Sequence, residues 1–230
     1  MKRAFLFPGQ GAQVVGMGKD IYEKYDEAKR IFDLAGEISG IDVKKVCFEG
    51  PAEELNKTQN TQIAILTTSL AVLEVLKSRG IEAQIATGLS LGEYGALIYS
   101  NILPFNVGIK LIQKRGYYMG NLLPDEEFSM AAVIGLDAKR IEEACNSLRE
   151  EGKFVVPANY NCSVQTVVSG EVTAIDEAVE LLKESGAKRV IKLNTSGAFH
   201  TSKLQKAREA YEKELQNSDL KMPDEPDLKV

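Results

Sequence analysis

The order in which strand-like and helix-like segments follow one another between residues 128 and 193 restricts the fold more than any other feature of the chain. Residues 130–134 read as a strand, and 138–150 as a helix with Ile141, Ala144, Cys145 and Leu148 on one face. Two strands follow at 154–158 and 165–169. A helix at 173–185 turns Ile175, Ala178, Val179 and Leu182 inward, and a last strand covers 188–193. The order β-α-β-β-α-β is that of the ferredoxin-like split motif, which closes into a compact unit by itself. A small domain is therefore expected at 128–193, inserted between 1–127 and 194–230 of a larger α/β domain.

In the larger part, residues 3–7 form a short strand stopped by Pro8-Gly9, and Gly9-Gln10-Gly11 is a tight loop. From residue 19 to about 36, Ile21, Tyr25, Ala28, Ile31, Phe32 and Ala35 recur at helical spacing. A polar loop at 56–61 precedes a helix over 62–77, with Ile63, Leu66, Leu70, Leu73 and Leu76 apolar and Gly80 as its stop. Residues 83–87 are a strand, 88–91 a sharp turn, 92–99 the start of a helix, and 105–119 another helix.

That sharp turn carries chemistry. Gly88-Leu89-Ser90-Leu91-Gly92 fits G-x-S-x-G between a strand and a helix, the setting a nucleophile elbow requires. Small flanking residues let the backbone bend and hold the Ser90 hydroxyl outward, while helix amides beginning at Leu91 face negative charge on a substrate oxygen. The alternative is a glycine-rich turn with a capping serine. A serine hydroxyl needs a base, and the chain contains one histidine, His200. A Ser–His pair within this chain must therefore use His200, in the loop Ser196-Gly197-Ala198-Phe199-His200-Thr201 where the chain leaves the small domain. The alternative is a surface or core histidine without a catalytic role.

Composition narrows the function. A net charge of −5 argues against nucleic-acid binding, which needs clustered Lys and Arg. No apolar run reaches the roughly 18 residues that span a bilayer, and the N-terminus has no long apolar region before Pro8, so neither a membrane segment nor a signal peptide is expected. Cys47, Cys145 and Cys162 show neither metal-ligand spacing nor a disulfide framework, which suits the reducing cytoplasm.

Four segments then agree with one family. Phe7-Pro8-Gly9-Gln10-Gly11-Ala12-Gln13, Gly88-Leu89-Ser90-Leu91-Gly92-Glu93-Tyr94, Gln113-Lys114-Arg115-Gly116 and Ser196-Gly197-Ala198-Phe199-His200-Thr201 resemble, in this order, the malonyl-CoA:acyl carrier protein transacylases. The resemblance runs over nearly the whole chain and implies a hydrolase-like large domain with a ferredoxin-like insert. It implies Ser90 as the acylated nucleophile, His200 as its general base, the Gln10 and Leu91 amides as the oxyanion hole, and Arg115 as the ligand of the malonyl carboxylate. By their types alone, Gln10 is a polar residue in a tight turn and Arg115 a solvated helix charge. The implied reaction moves a malonyl group from coenzyme A to the thiol of acyl carrier protein, in fatty acid or polyketide biosynthesis, with no metal or redox cofactor.

The chain departs from the family in two places. Leu89 stands where the usual residue is histidine. Members normally continue past residue 230, in a segment that completes the large sheet and orients the histidine, so a truncated product is expected here. Asp219, Asp224 and Asp227 are the carboxylates left after His200, in a polar tail expected to be weakly ordered over 222–230. Lys114, Lys188, Arg189 and Lys192 are candidates for docking an acidic carrier protein. A serine hydrolase such as a thioesterase or lipase, a transacylase for acetyl or methylmalonyl groups, and a non-catalytic binding module remain the competing readings.

Overall fold

A computed structural model describes residues 2–124, 126–193, 195 and 197–218. The expected weakly ordered tail, the three aspartates at 219, 224 and 227, and Ser196 of the histidine segment lie outside the described residues. The fold is mixed α/β, and the chain divides into two units, residues 1–120 with 209 onward, and 121–208.

The first unit begins with β1 (Ala4–Phe7), followed by helices α1 (Lys19–Lys24), α2 (Asp26–Ser39), α3 (Val43–Phe48), α4 (Ala52–Leu55) and α5 (Thr58–Lys77). Then come β2 (Ile85–Gly88), α6 (Gly92–Tyr99) and α7 (Phe105–Asn121). The run expected to be one helix from residue 19 is two, because Tyr25 adopts an extended φ of −129° and caps the first while opening the second. Helix α5 begins at Thr58, inside the expected polar loop: Thr61 is fully buried, and its hydroxyl donates to Leu55 O at 2.6 Å. The α5 helix is buried around most of its circumference, with Ile63, Ala64, Ile65 and Leu66 all in the core, as expected of a central helix rather than a surface one. Strands β1 and β2 pair in parallel, with Phe7 opposite Gly88. Phe7 and Ala86 point into the core, whereas Leu6 and Ile85 remain 76% and 46% exposed.

The second unit carries β3 (Phe128–Ile134), α8 (Ala138–Glu150), β4 (Val155–Cys162), β5 (Gln165–Glu171), α9 (Val172–Glu184) and β6 (Arg189–Leu193). The strands are antiparallel in the order β4-β5-β3-β6. Ile141, Ala144, Cys145 and Leu148 of α8 meet Ile175, Ala178, Val179 and Leu182 of α9 in one core, over Ala131, Val133 and Val168 of the sheet. These are the faces that the helical spacing predicts.

Helix α10 (Gln205–Gln216) follows a 3-10 turn at Ser202–Leu204. Return to the first unit was expected after residue 193, but it occurs at residue 209, within α10. The cause is local. Lys203 Nζ lies 4.8 Å from the Phe154 ring centre, 5.6 Å from that of Phe128 and 3.7 Å from a Glu171 carboxylate oxygen. This cation–π and ionic contact ties the segment after β6 to the small sheet. Among the described residues no helix is long and apolar enough to cross a membrane.

Candidate active site

The geometry around Ser90 starts from β2. The strand ends at Gly88, Leu89 N–H donates to Phe7 O at 3.1 Å, and α6 begins at once with Gly92 N–H donating to Leu89 O at 2.9 Å. To turn this tightly, Ser90 takes φ 55°. That is the left-handed region, which costs a non-glycine residue about 1–3 kcal/mol and marks functional turns. The flanking glycines are required by space. A Cβ on Gly88 would lie 2.0 Å from Gly92 C, and one on Gly92 would lie 2.3 Å from Phe7 O. Leu89, at the usual histidine position, is 49% exposed, and Leu91 is buried.

The loop after β1 closes over this turn, with a Cβ on Gly9 falling 2.7 Å from Leu89 O. Gln10 is therefore beside the elbow. Its neighbour Gly11 donates its N–H to Gln13 Oε1 at 2.8 Å, and Gln13 Nε2 donates to Asn56 Oδ1 at 2.8 Å, which pins the loop to the C-terminal end of α4. Among the described residues neither the Gln10 nor the Leu91 backbone N–H has an acceptor.

Arg115 projects from α7 into the same place. Its Nη2 donates to Ser90 Oγ at 3.0 Å, and its Nη1 donates to Gln62 Oε1 at 2.7 Å. Its guanidinium carbon stands 6.0 Å from the centre of the Tyr94 ring. Among the described residues Arg115 makes no ion pair. It is not the solvated helix charge that its type alone suggests. Burial draws its pKa down, opposed by Tyr94, Tyr211 and the carboxylate of Glu93. Burial pushes the Tyr94 phenol up, and does the same to Tyr211, whose hydroxyl bonds that of Tyr94.

His200 belongs to the second unit and is described there. Buried Gly197, Ala198 and Phe199 precede it, and a φ of 58° turns His200 outward to an exposed position. Thr201 fixes the turn: its Oγ1 donates to Ala198 O at 2.7 Å and accepts from Lys203 N–H at 3.2 Å. Of the predicted site residues, Ser90, Leu91, Arg115 and the Gln10 loop are brought together within the first unit. Of the candidate docking cations, Lys114 lies 3.6 Å from Glu214 and Lys192 pairs with Asp176. Among the described residues there is no group of three or more His, Cys, Asp or Glu side chains able to hold a metal ion.

Sequence reasoning missed Gln62 and Tyr211. Gln62 had one signal, a polar residue facing inward in the otherwise apolar run Ile63-Ala64-Ile65-Leu66. Tyr211, in a charged helix, had none.

The acyl transferase domain family matches residues 4–228 of this chain. The malonyl CoA-acyl carrier protein transacylase of Bacillus subtilis (strain 168) is 45% identical over 225 residues, 98% of this chain and 71% of that protein. The crystal structure of the corresponding transacylase from Clostridium perfringens superposes with a TM-score of 0.88 at 42% identity, covering 96% of this chain and 69% of that one. A malonyl-transacylase solved in complex with a type II PKS acyl-carrier protein has a TM-score of 0.88 at 32% identity, over 97% of this chain and 76% of that one. By sequence and by fold, this chain belongs to the malonyl CoA-acyl carrier protein transacylases of the acyl transferase domain family.

Proposed function

We propose that this chain transfers a malonyl group from coenzyme A to the phosphopantetheine thiol of acyl carrier protein through an acyl-serine at Ser90, in fatty acid or polyketide biosynthesis in the cytoplasm. One observation carries the reading. A guanidinium without an ion-pair partner among the described residues donates to the elbow hydroxyl at 3.0 Å. Malonyl differs from acetyl by a carboxylate, which a planar guanidinium accepts through two parallel hydrogen bonds. A substrate lacking it leaves the arginine unpaired, a penalty that discriminates far better than an apolar pocket.

In this reading the incoming carboxylate draws Arg115 off Ser90 Oγ, which frees the oxygen lone pair for attack. His200 takes the hydroxyl proton as Oγ bonds to the thioester carbonyl carbon. The Gln10 and Leu91 amides hold the oxyanion, and the C–S bond breaks as protonated His200 returns the proton to the departing thiolate. The carrier thiol then enters, loses its proton to His200 and attacks the ester carbonyl; the Oγ–C bond breaks as His200 returns the proton to Ser90 Oγ, giving ping-pong kinetics. No metal or redox cofactor is invoked. The larger part is read as hydrolase-like, supported by a serine elbow between a parallel strand and a helix. The second unit is read as a ferredoxin-like insertion, supported by its β4-β5-β3-β6 order and antiparallel pairing. The carrier-bound relative supports the choice of acceptor.

Incubation with malonyl-CoA alone tests the reading. A lasting malonyl increment on Ser90 by intact-protein mass spectrometry, absent from Ser90→Ala, is expected. Prompt release of free malonate without an increment is the hydrolase outcome and overturns the transferase.

A further inference from the structure

His200 stands between two anchors, and both belong to the second unit. On its N-terminal side Ala198 and Phe199 are buried, and the Phe199 ring folds back so closely that a Cβ on Gly197 would lie 2.4 Å from it. On its C-terminal side Lys203 turns its charged end onto the sheet. That side chain is 26% exposed, with Nζ 4.8 Å from the Phe154 ring centre, 5.6 Å from that of Phe128 and 3.7 Å from Glu171 Oε1. The three partners form one platform at one end of the sheet. Phe128 opens β3 opposite Glu171, the last residue of β5, and Glu171 N–H donates to Phe154 O at 3.0 Å just before β4. The two rings meet edge to face with centres 6.5 Å apart. Between the anchors the turn closes on itself. Thr201 Oγ1 donates to Ala198 O at 2.7 Å and accepts from Lys203 N–H at 3.2 Å, while Leu204 N–H donates to Thr201 O at 3.2 Å. Inside this turn His200 holds φ 58°, a conformation that a non-glycine residue keeps only where its surroundings impose it.

We propose that Lys203 is a positioning residue for the general base: its ammonium, held by the Phe154 and Phe128 rings and the Glu171 carboxylate, clamps the turn that presents His200. The inference rests on the reading of His200 as the base. The force passes from the sheet to Lys203, from the Lys203 backbone to the Thr201 hydroxyl, and from Thr201 to its neighbour His200. With one end of the turn let go, His200 is free to leave its strained φ, and a displacement of an ångström in a reacting group costs up to about a hundredfold in rate. An uncharged chain of the same length would still lie against the rings, but it would give up the attraction to their faces and to the carboxylate. A guanidinium would keep both. In this role Lys203 touches no substrate and acts through the turn alone.

The test follows malonylation of Ser90 by quenched-flow mass spectrometry of the full chain over a range of malonyl-CoA concentrations. The amplitude gives the fraction of protein that is competent, and the rate constant is independent of that fraction. Lys203→Met is expected to lower the saturating rate constant about tenfold, with the half-saturating malonyl-CoA concentration unchanged. Lys203→Arg is expected to stay within about threefold of the unsubstituted protein, because it keeps the cation over the rings. Phe154→Leu removes the nearer ring and is expected to slow loading in the same way, which carries the test if Lys203→Met does not fold. An unchanged rate constant in Lys203→Met, or in Phe154→Leu where only that variant folds, overturns the proposal. So does Lys203→Arg as slow as Lys203→Met, and so does a shift in half-saturation alone, which would make Lys203 a ligand of the coenzyme. His200→Ala separates the two levels. If it loads as fast as the unsubstituted protein, the reading of His200 as the base fails. If it is slow while Lys203→Met is not, that reading stands and the clamp is wrong.

Discussion

Backbone strain is stored at Ser90, the residue proposed to carry the acyl group, and that strain is measurable. At φ 55° any side chain with a Cβ is disfavoured relative to glycine. Ser90→Ala and Ser90→Gly both remove the hydroxyl and the acceptor for Arg115, so the difference between them isolates the backbone. Ser90→Gly is expected to be more stable than Ser90→Ala by about 1 kcal/mol in urea unfolding, with acylation lost in both. Equal midpoints would mean that the turn relaxes once the hydroxyl is gone. Gly92 is the opposite case. A methyl group there meets the Phe7 carbonyl oxygen, which is backbone and cannot rotate away. Gly92→Ala is expected to cost about 1–3 kcal/mol and to displace Ser90, read as a lower urea midpoint together with slower loading of the proposed nucleophile.

The part of helix α10 from residue 209 onward is held to the first unit by polar side chains, since the one buried residue of the helix among those described, Ala207, precedes it. Tyr211 bonds the Tyr94 hydroxyl, and Glu214 accepts from Tyr118 at 2.6 Å and lies 3.6 Å from Lys114. Tyr211→Phe leaves the Tyr94 hydroxyl without that partner in a buried place, so a loss of about 1–2 kcal/mol is expected in urea unfolding. Tyr118→Phe, at a more open site, should cost less. This mode of attachment also explains what the sequence leaves unread. Helices α2, α8 and α9 show an apolar stripe because each buries one against a core, and the stripe is visible in the residue order. Helix α10 buries almost none, so its pattern is polar throughout and gives no period to find. Helices α3 and α4 span less than two turns, too short for a period to register. At the site, Ser90 and Leu91 are legible because the elbow must be made of local residues. Gln62 and Tyr211 are not, because they reach Arg115 and Tyr94 from distant parts of the chain, and their side-chain types carry no sign of the partner.

The molecule has two separate cores, one around α5 and one between α8, α9 and the four-stranded sheet, and each encloses a thiol. Burial pushes both Cys47 and Cys145 up to about 12, from an ordinary value of 9.0. In the unfolded chain these thiols lose their protons near 9, whereas in the folded chain they keep them to about 12. The unfolded state therefore binds fewer protons in this window, and its population grows with pH. Stability contributed by the two buried thiols is complete below pH 9 and lost as pH rises toward 12. Melting temperature is expected to fall over that range in both units, and Cys47→Ala with Cys145→Ala should flatten the slope while lowering stability at neutral pH. The same burial protects them from reagents: iodoacetamide should add to Cys162, which is exposed, and reach the other two after denaturation. The phenol pair of α6 and α10 has an optical consequence. The chain has eight tyrosines and no tryptophan, so its ultraviolet emission is tyrosine light, unmasked by indole. Tyr94 couples to Tyr211 through its hydroxyl and to the Arg115 cation through its ring, and both partners perturb a phenol's excited state. If Arg115 takes the acyl carboxylate as proposed, adding malonyl-CoA is expected to change that tyrosine emission in the unmodified protein and not in Tyr94→Phe.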